Sequence, residues 1–313
     1  MVAALFGLGV VAIGFVVGVW AVFVLLLLVF DVDSPGSIAL IPAVLTLVGI
    51  ASLEYAHRGT VERLAGAQPV DRESAPELYR TTTQVAAQLD VPVPTIAISN
   101  REAPEALVVG YRPSDVHLVV STGTVESLDK QELAAVIAHE LAHVKNRDAM
   151  VMTAVSVPIV IADGLRSRIA AIENPGWGVI VVVPLGVVST VFWVVGRTIS
   201  ARLARVRERA ADRVAAEVTG SPAALASALE NLDHEITQTP ARDLREVSGV
   251  SSLSILSLEP DEPEKVMLGP EGDIEPAYWR GRVLLHRLTK WLFESHPPTE
   301  ERIETLAAMQ RQL

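Results

Sequence analysis

Residues Ala138 to Val144 read AHELAHV, and His139, Glu140 and His143 within them form the pattern His-Glu-x-x-His. Positions four apart on a helix lie one above the other, so both imidazoles reach one Zn²⁺ while Glu140, one step round, faces its open side. The helix that this requires is marked on both sides. Asp129 and Glu132 make a capping-box-like start, and Leu133, Val136, Ile137, Leu141 and Val144 recur at helical spacing to give a buried face. With seven His and 24 Glu in 313 residues, accident would produce the five-residue pattern about 0.01 times in such a chain. A hydrogen-bonded cluster of two helical histidines and a glutamate is the competing reading.

Working outward, the stretch sits among apolar runs. Val2 to Phe30 and Ser34 to Leu53 carry no charge apart from the joining residues Asp31 to Gly36, where Pro35 and Gly36 supply a turn. A bilayer core needs only about 20 helical residues, so the two runs read as a transmembrane hairpin. A signal peptide is disfavoured by the length of the first run and by the second that follows it. Further apolar runs lie at Ala149 to Ala162 and at Pro175 to Gly196. The second is long enough to span, whereas about 14 residues is the length class of buried or re-entrant helices.

Between these runs the composition is mixed, with strand candidates at Thr95 to Ser99, Ala106 to Val109 and Val116 to Ser121. An Arg-rich helical stretch extends to Val218 and is closed by Gly220. Residues 239–282, with Asp261, Glu262, Glu264, Glu271, Asp273 and Glu275 among Pro and Gly, read as an acidic solvated loop. A last helical region starts near Arg282 and breaks at His296 to Pro298. No internal repeat is evident.

Composition narrows the function classes. A mean hydropathy of +0.36 with 50% hydrophobic residues is more apolar than soluble proteins usually are. With 37 acidic against 26 basic residues the net charge is -11, which disfavours nucleic acid as a partner, since phosphate binding needs a basic face. There is no cysteine. Disulfide scaffolds, cysteine zinc fingers, iron–sulfur clusters and thiol catalysis are thereby excluded, and any metal must use His and carboxylates.

A catalytic zinc keeps three protein ligands and one open position. The acid sought on another helix is Glu208, in ARVRERAADRVA, with Asp212 four residues on and on the same face. Asp212 would orient a ligating imidazole through its other nitrogen. From spacing alone the alternative stands level: both acids pairing with Arg205, Arg209 or Arg213 on a solvated helix. His57, His117, His234 and His286 read as surface or locally bonded residues. Topology adds a constraint. His143 and Glu208 share a metal only if the chain between them crosses the bilayer an even number of times, so Ala149 to Ala162 should cross as Pro175 to Gly196 does, its helix continuing that of the zinc site. Arg58, Arg63, Lys145, Arg147 and the arginines from Arg197 to Arg209 flank the spans on one side, which places the soluble parts in the cytoplasm.

The sequence resembles the HtpX family of membrane-bound zinc metallopeptidases, relatives of the CAAX prenyl proteases. The resemblance runs through most of the chain: the N-terminal hairpin, VIAHELAHVKNRD, two further spans, RERAAD, and SHPPTEERIETL near the end. It implies His139, His143 and Glu208 as ligands of one Zn²⁺, Glu140 as the catalytic carboxylate and Asp212 as the supporting acid. It further implies that Ala106, Leu107 and Val108 correspond to an edge strand that holds substrate, with Glu105 standing where the family has Asn. His296, Pro297 and Arg302 match its C-terminal signature.

The expected molecule is a mainly α membrane protein of four transmembrane helices with an α+β zincin-like catalytic domain containing a small β-sheet. Its segments would be an N-terminal hairpin (1–53), a first catalytic part with the zinc helix (54–148), a second helix pair (149–196) and a second catalytic part with the third ligand (197–313). The expected function is zinc-dependent endopeptidase action on misfolded or damaged membrane proteins, a quality-control and stress-response role in the cell membrane, with polypeptide substrates and the lipid bilayer as partners. Glu140 would act as general base, and His296, Arg302 or Tyr278 as donor to the oxyanion, His296 being preferred. The alternatives are a CAAX-type processing protease for lipidated C-termini and a non-enzymatic zinc-domain membrane sensor.

Overall fold

A computed structural model describes residues 2–56, 66–110, 116–238 and 279–312. His57, Arg58, Arg63, Tyr278 and the acidic stretch 239–278 lie outside them. The chain divides into two compact units, Met1–Gly59 with Val151–Leu203, and Thr60–Met150 with Ala204–Leu313.

The first unit is built from helices. α1 (Val2–Val29) is followed by a short α2 (Pro35–Ile38) and by α3 (Leu40–Ala56). Asp31 and Ser34 take left-handed backbone in the turn, and the Trp20 indole donates to the Gly36 carbonyl at 2.9 Å, tying the turn back to α1. α7 (Asp148–Ala170, labelled in chain order with the elements below) and the first part of α8 (Val179–Thr219) complete the unit. Its core joins Phe15, Val19 and Val22 to Ala43, Ala162, Leu165 and Leu185. A Cβ added at Gly14 or Gly18 would come within 2.9 Å of Phe192 or Val188 respectively. The bare backbone at these two positions, one turn apart, is what admits those side chains so close, as in packing between apolar helices generally.

Among the described residues three helices are long and apolar enough to cross a membrane: Gly9–Val29, Asp148–Ala170 and Gly176–Thr219, the last including a turn of 3-10 helix before α8. The expected second span is a shorter apolar helix, Pro35–Gly49. The third expected span is longer than its apolar run: α7 has 23 residues, because Asp163, Arg166 and Arg168 extend the helix past Ala162 rather than ending it.

The second unit holds the sheet. Its strands are β1 (Gln68–Pro69), β2 (Thr95–Ser99), β3 (Ala106–Val109) and β4 (His117–Ser121), in the order β1-β2-β4-β3. β2 and β4 are parallel, and the outer pairs are antiparallel. Side chains alternate across a strand. Leu118 and Val120 therefore face the main core with Ile96, while Val119 joins Ala97 and Leu107 on the opposite face. Burial on both faces accounts for the unbroken apolar run of β4.

α5 (Thr122–Ser127) and α6 (Lys130–Lys145) pack against the sheet, α4 (Pro76–Leu89) and α9 (Pro222–Gln238) against α6, and α11 (Thr299–Gln310) against α9, while α10 (Trp279–Phe293) lies before α11 in the chain. α10 starts at Trp279, so the last four residues of the expected loop, 279–282, are helical. α6 is the central helix, burying Ala135, Val136, Ile137, Ala138 and Leu141. Its start is a full capping box: Asp129 accepts from the amides of Gln131 and Glu132, and Glu132 accepts from the amide of Asp129 at 2.9 Å. The second oxygen of Glu132 accepts from Ser227 at 2.5 Å and Asn231 at 2.9 Å, which fixes α9 to the start of α6. At its other end α6 does not run on into α7. Arg147 turns the backbone with φ 55°, and α7 begins afresh at Asp148.

Candidate metal centre

The buried face of α6 carries His139 and Glu140, both almost wholly shielded from solvent, and the half-buried His143 one turn further. The polar end of α8 runs past them with Glu208 and Asp212 on one face, both buried. His139 Nε2 and His143 Nε2 are 3.2 Å apart. Glu208 brings Oε2 to 3.4 Å from the first and Oε1 to 3.5 Å from the second.

The tautomers decide what this means. Asp212 Oδ1 lies 2.9 Å from His139 Nδ1, and Asp148 Oδ2 lies 2.6 Å from His143 Nδ1. An ionised carboxylate only accepts, so the hydrogen bond to Asp148 keeps a proton on His143 Nδ1, and the charge of Asp212 at ion-pair distance draws one to His139 Nδ1; each ring, when neutral, then turns the lone pair of Nε2 toward the other ring and toward Glu208. Electron pairs thus converge on one point, and Glu208 Oε2 has no hydrogen-bond donor among the described residues. Such a grouping is stable only around a cation. The fit is metric as well: a tetrahedral ion with bonds of about 2.0–2.1 Å holds its ligand atoms about 3.3–3.4 Å apart, and the three separations are 3.2, 3.4 and 3.5 Å. Among the described residues His139, His143 and Glu208 form the cluster able to hold a metal. His117, His234 and His286 are not part of it.

The field of the pocket agrees. Burial disfavours a charged His139 ring, but the carboxylates of Asp212 and Glu208 outweigh it and push the pKa up to about 9. A proton is the smallest cation that the site attracts. Burial lowers His143 instead, with Glu208 opposing. Glu140 is pushed up to about 7 by burial, which the charges on His139 and His143 partly offset.

Each imidazole is held by a carboxylate, and each carboxylate by an arginine. Arg302, from α11, donates twice to Asp212, through Nε at 2.9 Å and Nη2 at 2.6 Å. Arg207, from α8, pairs with Asp148. Arg302 is therefore not the oxyanion donor that the sequence offered it as. Its two-pronged bond to Asp212 fixes it behind His139. His296, in the break between α10 and α11, is buried with Nδ1 3.3 Å from Glu208 Oε2, and neither ring nitrogen has a hydrogen-bond partner among the described residues. Asp148 and Arg207 were not singled out from the sequence. Both adjoin chemistry that was, in NRD and RER, but nothing local says that they meet.

β3 forms one edge of the sheet and packs beside α6. Ala106 and Leu107 are buried and Val108 is half-buried. Glu105, just before them, is fully buried. It pairs with Arg101 at 3.2 Å, and its amide donates to Ser121 Oγ and Thr124 Oγ1. Burial raises its pKa, against the pull of Arg101.

Known proteins are similar to this chain. Residues 72–310 match the family model described as "Peptidase family M48". "Protease HtpX homolog 2" of Methanosarcina mazei is 34% identical over 254 residues, covering 79% of this chain and 77% of that protein. "Protease HtpX homolog 1" of Streptomyces coelicolor is 31% identical over 320 residues, covering 100% and 92%. Among solved structures, S. mikatae Ste24p is similar with a TM-score of 0.44 and 17% identity, over 77% of this chain and half of that one. The family match takes in the helices that carry His139, His143 and Glu208 and the C-terminal segment with His296 and Arg302, and the chain belongs to peptidase family M48, as a membrane-associated metallopeptidase.

Proposed function

We propose that the chain is a single-zinc endopeptidase that hydrolyses peptide bonds of misfolded or damaged membrane proteins at the cytoplasmic face of the cell membrane. His139, His143 and Glu208 hold the zinc. The convergence of three electron-pair donors on one point carries this reading. When bound, zinc supplies Lewis acidity toward the scissile carbonyl and a water acidified toward neutral pH.

The remaining work falls to the chain. Glu140 accepts the proton of the attacking water on its carboxylate and delivers it to the leaving amine, acting in turn as general base and general acid. Asp212 and Asp148 keep each imidazole in one tautomer and orientation. His296 donates a ring N–H to the oxygen on which charge develops. An extended substrate adds to the sheet along Ala106, Leu107 and Val108, bonding through its backbone with little side-chain selectivity, as suits a protease of damaged proteins. The apolar helix Pro35–Gly49 crosses with the three longer ones, giving four spans and an even number of crossings between His143 and Glu208.

Glu140→Gln tests the reading. The variant should bind zinc in the same one-to-one ratio and lose cleavage of a membrane-protein substrate by about a thousandfold or more. Cleavage at the normal rate would remove Glu140 as the base, and metal analysis that finds another ion in the active protein would remove zinc.

A further inference from the structure

Glu105 is a carboxylate with no solvent to face. It is wholly shielded and stands one residue before the edge strand β3. Its Oε2 lies 3.2 Å from Arg101, while Oε1 has no hydrogen-bond partner among the described residues. Side chains alternate along a strand, so Glu105 shares the face of Leu107, where Ala97, Ala103 and Val119 form a small apolar core. Replacing a buried ion pair by apolar side chains of similar volume is often neutral or stabilising. Stability alone therefore does not account for a carboxylate at this position.

The main chain around it shows what the pair holds. The Ser121 amide donates to the Glu105 carbonyl at 2.8 Å, and the Glu105 amide donates to Ser121 Oγ at 2.9 Å and Thr124 Oγ1 at 2.7 Å. Four residues back, the Arg101 carbonyl accepts from the Gly123 amide at 3.0 Å and from Thr122 Oγ1 at 2.8 Å. A Cβ at Gly123 would run into the Glu102 carbonyl. Residues 101–105 are thus laid on the turn from β4 to α5 and closed on themselves by the contact between Arg101 and Glu105, and β3 starts where they end. In an antiparallel pair every second residue exchanges bonds with its partner. With Glu105 bonded to Ser121, Leu107 and Val109 turn their N–H and C=O groups toward β4. Ala106 and Val108 turn theirs to the outer edge, where no strand lies among the described residues.

We infer that Glu105 is a positioning residue for the substrate: by holding Arg101 it fixes the head of β3, so that the outward N–H and C=O groups of Ala106 and Val108 stand in place for an extended chain. The inference rests on the reading of β3 as the strand that holds substrate. A short strand bonded on one side is prone to open from its ends, and a strand that must be ordered on binding loses affinity to that ordering. The run Ala106–Val109 is apolar throughout and carries no polar anchor of its own.

Two peptides with the same cleaved bond provide the test, one confined to the neighbours of that bond and one reaching along β3. In the full chain, Glu105→Leu keeps an apolar group in the buried site but cannot hold Arg101. With metal content equal to that of the unaltered chain, it should raise KM for the longer peptide about tenfold, while kcat and the constants of the shorter peptide move by less than about twofold. Arg101→Met breaks the same contact from its partly exposed end and should give the same split even if Glu105→Leu does not fold. Glu105→Gln still accepts from Arg101 and should restore KM. The inference is overturned by an equal loss on both peptides, by a change of Tm with no difference between the peptides, or by a Glu105→Gln variant as impaired as Glu105→Leu. The longer peptide, N-methylated at one amide at a time, tests the underlying reading separately. If no methyl group raises KM of the unaltered chain, β3 does not hold substrate and the inference falls with that reading. If alternate methyl groups raise it and Glu105→Leu does not, the inference alone is overturned.

Discussion

His139 and His143 are one helical turn apart and hold the same point, yet they are held by different means. Behind His139 stand Asp212 and Arg302, brought from α8 and α11, with side-chain exposures of 7% and 1%. Behind His143 stand Asp148, five residues on in the chain, and Arg207, with the ring itself 20% exposed. The first support is long-range at both steps, whereas the second starts five positions from its ring and turns long-range only at Arg207 of α8; both are buried, and the difference in exposure lies in the rings. Fold and site are thus coupled through His139, whose partners also pin α11 to α8. His143 is held mostly by the turn that its own helix makes at Arg147 and Asp148.

The largest effect removes what the two supports share. Glu208→Ala takes away the proposed third ligand, and metal analysis should find the ion lost along with activity. Unchanged metal content would leave both imidazoles without a common purpose. Next comes Asp212→Asn. It should cost about 10–100-fold in metal affinity, and because it strands a buried arginine it should also destabilise the protein by about 3–5 kcal/mol, seen as a lower Tm of the metal-free protein. Asp148→Asn should match it in metal affinity, again about 10–100-fold, but with a smaller loss of Tm, since Asp212 with Arg302 also ties α11 to α8. Equal losses of Tm would erase the distinction between the supports. The smallest effect is expected from His234→Gln, on an exposed helix face away from both, where Tm should move by less than about 0.5 kcal/mol equivalent and metal content should not change.

The parts of this arrangement visible in the sequence are those written in local spacing. The i, i+4 repeat placed His139 and His143 together, the capping box marked the start of α6, and short β-like apolar runs marked β2, β3 and β4. Glu208 and Asp212 could be put on one face, but whether that face met a metal or solvent was open until the resemblance to a family and then the structure bore on it. Three features depended on contacts between distant segments and had no local signal. Arg302 meets Asp212 across 90 positions, so its charge alone suggested an oxyanion. Asp148 and Arg207 each lay inside a quoted motif, with nothing to say that they pair. β1, two residues long, exists only because β2 offers an edge. The break at Arg147 was hidden for another reason: a non-glycine residue with positive φ is uncommon, so apolar periodicity on both sides read as one helix.

His143 and Glu208 are 65 positions apart in the sequence, and α7 together with the apolar part of α8 lies between them. A nascent chain that has reached Ala204 already has both imidazoles and Glu140, yet has neither Glu208 nor the Asp212 carboxylate behind His139. Synthesis from the N-terminus therefore yields an inert precursor for as long as hydrophobic segments are still being made, and the hydrolytic centre matures only once the ribosome has passed them.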